Sequence, residues 1–123
     1  MNEIILYIAG GLTAAWGISH LFPTKGVVKG FGEITPDSGH IITMEWIVEG
    51  VALIFVGVLV VITTLIDRSA AVAQGVYWSS AGVLIILAIV SLFTGFKVNF
   101  LPFKLCPVIF TLSAVLILVG VAI

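Results

Sequence analysis

Two glutamates lie one helical turn apart inside a strongly apolar stretch. Glu45 and Glu49 belong to the segment "MEWIVEGVALIFVGVLVV", residues 44–61. A charged acid at the centre of a membrane span costs about 2.5 to 3.5 kcal/mol on insertion scales, and intramembrane acids usually mark proton or ligand sites. Two adjacent acids also repel each other, so we expect at least one of them to be protonated or paired.

A histidine in the first apolar segment is the expected partner of these acids. His20 lies three residues before Pro23, which ends that segment, so its depth in the membrane resembles that of Glu45. We predict an ion pair between Glu45 and His20. Glu49 lies about 12 Å along the helix axis from the start of its apolar run and is expected to be protonated.

Helical periodicity indicates which faces turn inward. On the first helix His20 shares a small, polar face, typical of helix contacts in membranes, with Gly10, Thr13, Trp16 and Gly17. On the second helix the stripe predicted to face inward consists of Ile42, Glu45, Glu49, Ala52 and Val56. A second small-residue stripe on the third helix predicts close packing there and consists of Ala71, Gly75 and Ser79.

The composition identifies the kind of fold that must position these residues. The chain has 123 residues, of which 61% are hydrophobic and 9% charged, and its mean hydropathy is +1.33. Soluble domains contain about 25% charged residues, so lipid is the expected solvent. A bilayer span needs about 20 apolar residues. The sequence therefore predicts a single all-α domain, a polytopic four-helix membrane bundle, with helices at residues 3–22, 41–66, 70–94 and 105–123.

Capping and charge patterns refine the helix ends and the orientation. "TPDSGH" predicts that the second helix begins before its apolar run, with Thr35 as N-cap and Pro36 at the first position. The basic residues are distributed unevenly, because the connections 23–39 and 95–104 hold four lysines whereas the remaining connection holds only Arg68. By the positive-inside rule we expect both lysine-bearing loops in the cytoplasm and both termini outside, in a prokaryotic cell membrane.

With this topology one end of the bundle collects most of the reactive side chains. His20, Glu45 and Glu49 are the predicted ligand- or proton-binding residues. The residues predicted to line the same pocket are Trp16, Ser91, Thr94 and Cys106. Cys106 is the only cysteine, so no disulfide forms within the chain. The lysines form no cluster that would indicate nucleic-acid binding.

Three short motifs stand at defined places in the predicted bundle: "GISHLFP" ends the first helix, "VEGVALIFVG" lies in the second span and "DRSAA" forms the turn that follows. They resemble the G-x-x-H-x-x-P pattern, the acidic second span and the short turn of the DoxX-like family of small four-helix membrane proteins. The resemblance implies that His20 is the family histidine and that Glu49 or Glu45 is the family acid. It also implies a subunit of a quinone-linked oxidoreductase or an assembly factor, with a quinone as the candidate cofactor.

Other functions fit the same residues. The glutamates and the histidine also suit a structural hydrogen-bonded network, an iron or zinc site, or a proton-coupled carrier acting as an oligomer. Small multidrug transporters carry their essential glutamate in the first helix, and this chain has only Glu3 at the edge of that helix. We expect a non-catalytic subunit that binds a quinone or lipid-like molecule and assembles with copies of itself or other membrane subunits.

Overall fold

The predicted apolar segments form four long helices. A computed structural model of the protein describes the backbone of residues 2–123 and the side chains of residues 3–123. Its helices are α1 (Asn2–Leu21), α2 (Thr24–Lys29), α3 (Pro36–Asp67), α4 (Ala71–Phe93) and α5 (Leu101–Ala122), with a 3₁₀ turn at Gly95–Lys97. All except α2 are long and apolar enough to cross a membrane, which confirms the all-α fold and the four-helix membrane bundle.

The start of α3 agrees with its predicted cap. The Thr35 side chain accepts a hydrogen bond of 3.2 Å from the backbone N–H of Ser38, and Pro36 occupies the first helical position. The helix has 32 residues and is therefore about 48 Å long, which exceeds the roughly 30 Å of bilayer hydrocarbon. Part of α3 must therefore extend beyond the hydrocarbon.

The start of α5 differs from the prediction. The helix begins at Leu101, four residues before the predicted start at residue 105, because Pro102 is well placed in a first turn. Pro107 consequently lies inside the helix and removes one backbone donor. At the other end, the Arg68 guanidinium donates a hydrogen bond of 3.3 Å to the carbonyl of Gly120, where a cation stabilises the helix terminus.

Helix α1 packs against both α3 and α5, and α4 packs mainly against α5. Helices α1 and α3 approach each other closely at four glycines that we call the glycine seam: Gly10, Gly17, Gly50 and Gly57. A Cβ atom built on Gly10 would lie 2.7 Å from the Gly57 carbonyl oxygen, and one on Gly17 would lie 2.7 Å from that of Gly50. Since no side chain fits at these contacts, the seam fixes both the register and the rotation of the two helices.

Two of the predicted inward faces are wrong, and the glycine seam explains the one on α3. The buried residues of α3 are Gly50, Leu53, Gly57, Val60 and Thr64, whereas Glu45 and Ala52 of the predicted stripe are exposed. The face of α3 that is buried in the bundle is therefore rotated about the helix axis relative to the predicted face. The stripe of Ala71, Gly75 and Ser79 is also exposed, so that predicted packing face is wrong within this chain. The predicted face of α1 is correct, because Gly10, Thr13, Gly17 and His20 are buried.

Candidate functional site

His20 lies in the last turn of α1, against Trp46 of α3. Its imidazole stacks on the Trp46 indole with ring centroids 3.8 Å apart and an interplanar angle of 17°. The indole Nε1 also donates a hydrogen bond of 2.7 Å to the His20 carbonyl oxygen. Carbonyl groups in the last turn of a helix have no partner within the helix, so Trp46 both completes the end of α1 and holds the imidazole in place.

The acid beside the imidazole is Glu49. The Nε2 atom of His20 lies 3.4 Å from Oε2 of Glu49, and the two side chains are 6% and 40% exposed. The predicted pairing of His20 with Glu45 is therefore wrong. Glu45 precedes Trp46 by one residue, which turns its side chain by about 100° away from the face that contacts α1. Its exposed position follows from the rotation that the glycine seam imposes on α3.

The buried imidazole nitrogen has unused hydrogen-bonding capacity. Nε2 of His20 is fully buried and finds no hydrogen-bond partner among residues 3–123. It is within ion-pair distance of Glu49, but the two groups are not aligned as donor and acceptor. Leaving a buried polar group unsatisfied costs about 1 to 3 kcal/mol, so this atom is a natural binding point for a ligand.

Beside His20 is a space of about 250 Å³ that we call the aromatic cleft. Its walls come from the end of α1, from α3 and from the start of α5. The lining residues are Trp16, Ser19, His20, Pro23, Trp46, Phe100, Pro102, Phe103, Leu105 and Cys106. Trp46 and Phe103, which both line it, contact each other with ring centroids 5.4 Å apart. The cleft can therefore hold a flat, largely apolar group next to a histidine.

A second space adjoins the aromatic cleft. We call it the α2 groove; its volume is about 610 Å³ and it is lined by Pro23, Gly26, Val27, Gly30, Phe31, Val98, Phe100 and Phe103. Pro23, Phe100 and Phe103 belong to both sets of lining residues. Lys104 helps to order this end of the bundle, because its ammonium donates a hydrogen bond of 2.8 Å to the Phe96 carbonyl.

Only part of the predicted pocket lining is found at the cleft. Trp16 and Cys106 line it, and the Cys106 thiol donates to the Pro102 carbonyl at 3.4 Å. Ser91 and Thr94 lie outside it. Their hydroxyl groups donate to carbonyls of their own helix, Ser91 to Leu87 at 2.7 Å and Thr94 to Val90 at 2.6 Å. Serine and threonine in apolar helices commonly satisfy their hydroxyls in this way, which explains the error.

Sequence reasoning missed the aromatic residues that build the site. Trp46, Phe100 and Phe103 were not among the predicted residues. One signal was available for Trp46, since a tryptophan three residues before an intramembrane acid shares a helical face with it. The phenylalanines of "NFLPFK" lay in a predicted loop, and only the earlier start of α5 brings Phe103 to the cleft.

Residues 3–123 contain no group of three or more histidine, cysteine, aspartate or glutamate side chains arranged to hold a metal ion. Comparison of the chain with protein-family models, with curated proteins and with solved structures gives no match.

Proposed function

We propose that this small membrane protein binds a quinone-class ligand in the aromatic cleft, as a non-catalytic subunit of a membrane redox complex. The observation that supports this most directly is the buried Nε2 of His20, which has no hydrogen-bond partner among residues 3–123 and lies in the wall of an aromatic cleft. A quinone ring is flat and can stack on aromatic side chains. Its carbonyl oxygen accepts a hydrogen bond from an imidazole N–H.

Glu49 gives the proposed site a path for protons. A quinone that receives two electrons from a partner subunit also takes up two protons. The imidazolium form of His20 can donate the first proton, and the protonated carboxyl of Glu49, whose Oε2 lies 3.4 Å from Nε2, can return a proton to the imidazole for the second. Glu49 is partly exposed and is then reprotonated from solvent. Histidine suits this role because one imidazole ring can both accept and donate a proton.

Membership of the DoxX-like family is part of this proposal, and the "GISHLFP" motif supports it. Each of its defining residues has a separate position at the site. Gly17 permits the contact with Gly50, His20 forms the polar wall of the cleft, and Pro23 lies between the cleft and the α2 groove. The motif therefore combines helix contact, ligand contact and helix termination within one short segment.

The test is the ligand content of the purified protein. The protein is isolated in detergent, extracted with organic solvent, and the extract is analysed for quinones by liquid chromatography and mass spectrometry. We expect Glu49→Gln and His20→Gln to lower quinone occupancy. The matched controls Glu45→Gln and His40→Gln, at exposed positions, should retain it. Absence of quinone from wild-type protein, even after incubation with added quinone, would refute the proposal.

A proton-coupled carrier acting as an oligomer is the second candidate. It is favoured by one observation, the contact between buried His20 and partly exposed Glu49, because such a pair can exchange a proton for a cationic substrate. In liposomes a carrier gives a substrate-dependent proton flux that Glu49→Gln abolishes and Glu45→Gln preserves. Flux without bound quinone would favour the carrier. Neither flux nor bound quinone would favour a structural or assembly subunit.

A further inference from the structure

The aromatic cleft is too small to enclose a whole amphipathic ligand. Small-molecule sites usually have volumes of about 300 to 1,000 Å³. The cleft, at about 250 Å³, lies below that range, whereas the adjoining α2 groove adds about 610 Å³. A ligand that lies beside His20 and fills a site of ordinary size must therefore extend from the cleft into the groove.

The residues of the α2 groove indicate the chemistry of that second part. Phe31, Val98 and Phe100 are 56%, 43% and 47% exposed, although all three lie in connections between the long helices. The other lining residues are also glycine, proline or apolar side chains. Burying such an apolar surface against a hydrocarbon chain is favourable.

We infer that the ligand carries an apolar chain, that its ring occupies the aromatic cleft, and that its chain lies in the α2 groove. This inference depends on the proposed function, since the ring position is that of the quinone-class ligand. Both spaces are lined by Pro23, Phe100 and Phe103. A chain attached to a ring beside His20 therefore stays in contact with apolar side chains as it passes from the cleft into the groove. The two exposed lysines of α2, Lys25 and Lys29, suit a position near the lipid headgroups, from which a chain can enter.

The experiment compares quinones that have the same ring but differ in chain length. Binding to protein in nanodiscs is followed by quenching of tryptophan fluorescence, because Trp16 and Trp46 line the cleft. Gly26→Leu is designed to obstruct the groove, since Gly26 lines it and a Cβ there would meet no atom within 4 Å. Gly75→Leu is the control, because Gly75 has equally open surroundings on α4 and lines neither space.

Quinones with long chains also partition into the lipid of the nanodisc, which changes their apparent Kd. Each variant is therefore compared with the wild-type protein as a ratio of Kd values at the same chain length. We expect Gly26→Leu to raise Kd at least about tenfold for a long-chain quinone and to leave that of the chainless ring within about twofold. Phe31→Ala, which removes a groove wall, should also weaken only the long-chain quinone.

Equal effects of Gly26→Leu on both ligands, or no effect on either, would overturn the inference but leave the proposed function standing. Failure of every quinone to quench wild-type fluorescence in a saturable manner would instead refute the proposed function itself. The two failures are therefore distinguishable in one set of titrations.

Discussion

Trp46 contacts His20 twice, through its ring and through its N–H. The indole stacks on the imidazole at 3.8 Å and donates a hydrogen bond of 2.7 Å to the carbonyl of the same residue. One side chain of α3 thereby satisfies a carbonyl in the last turn of α1 and holds the histidine ring in place. The position of the candidate site is thus tied to the contact between these two helices.

Replacing Trp46 should separate these two contributions. Trp46→Phe keeps an aromatic ring against His20 but removes the indole donor, leaving the His20 carbonyl unsatisfied. We expect a loss of about 1 kcal/mol in the free energy of unfolding. Trp78→Phe is the control, since Trp78 is exposed and should change stability little. The free energy of unfolding of both variants is measured in mixed detergent, with circular dichroism as the signal. Equal losses at the two positions would contradict the role given to Trp46.

The glycine seam should tolerate no added side chain. In Gly57→Ala the new Cβ would meet the backbone of α1 at Gly10 and Ala14, so we expect a loss of about 1 to 3 kcal/mol or a failure to fold. In Gly75→Ala the Cβ would meet nothing within 4 Å, and the higher helix propensity of alanine should leave stability unchanged or slightly increased. The same unfolding assay compares the two. A stable Gly57→Ala variant with an unchanged transition would show that α1 and α3 do not approach this closely.

A double-mutant cycle should identify the acid that is coupled to His20. Because Glu49 is partly exposed, we expect a coupling of only about 0.5 to 1 kcal/mol between His20→Asn and Glu49→Gln. The same cycle with Glu45→Gln should be additive within about 0.3 to 0.5 kcal/mol, since Glu45 faces away from α1. Coupling to Glu45 with additivity at Glu49 would reverse the assignment.

Cysteine labelling in intact cells should establish the orientation. With Cys106 replaced by alanine, we expect a cysteine inserted before Asn2 to react with an impermeant thiol reagent. Lys29→Cys, in the exposed part of a lysine-bearing loop, should be protected until the cells are permeabilised. The opposite labelling pattern would place loops 23–39 and 95–104 outside the cell.

Much of the fold could be predicted from the amino-acid sequence alone. The lengths of the apolar runs predicted four helices of membrane-spanning length, and "TPDSGH" predicted the cap at Thr35, because both signals are local to the chain. The inward face of α1 was also predictable, since Gly10, Thr13, Gly17 and His20 lie on one side. His20 was correctly placed at the end of the first helix, next to the second long helix.

The tertiary structure decided the rotation of α3, and with it the choice between Glu45 and Glu49. Apolar periodicity could not settle this, because lipid tails are as apolar as a protein core and both faces of a membrane helix are hydrophobic. The glycines Gly50 and Gly57 settle it by permitting backbone contact on one face alone. The cleft likewise depends on residues distant in the sequence, since Trp46 and Phe103 meet only after α1, α3 and α5 have packed together.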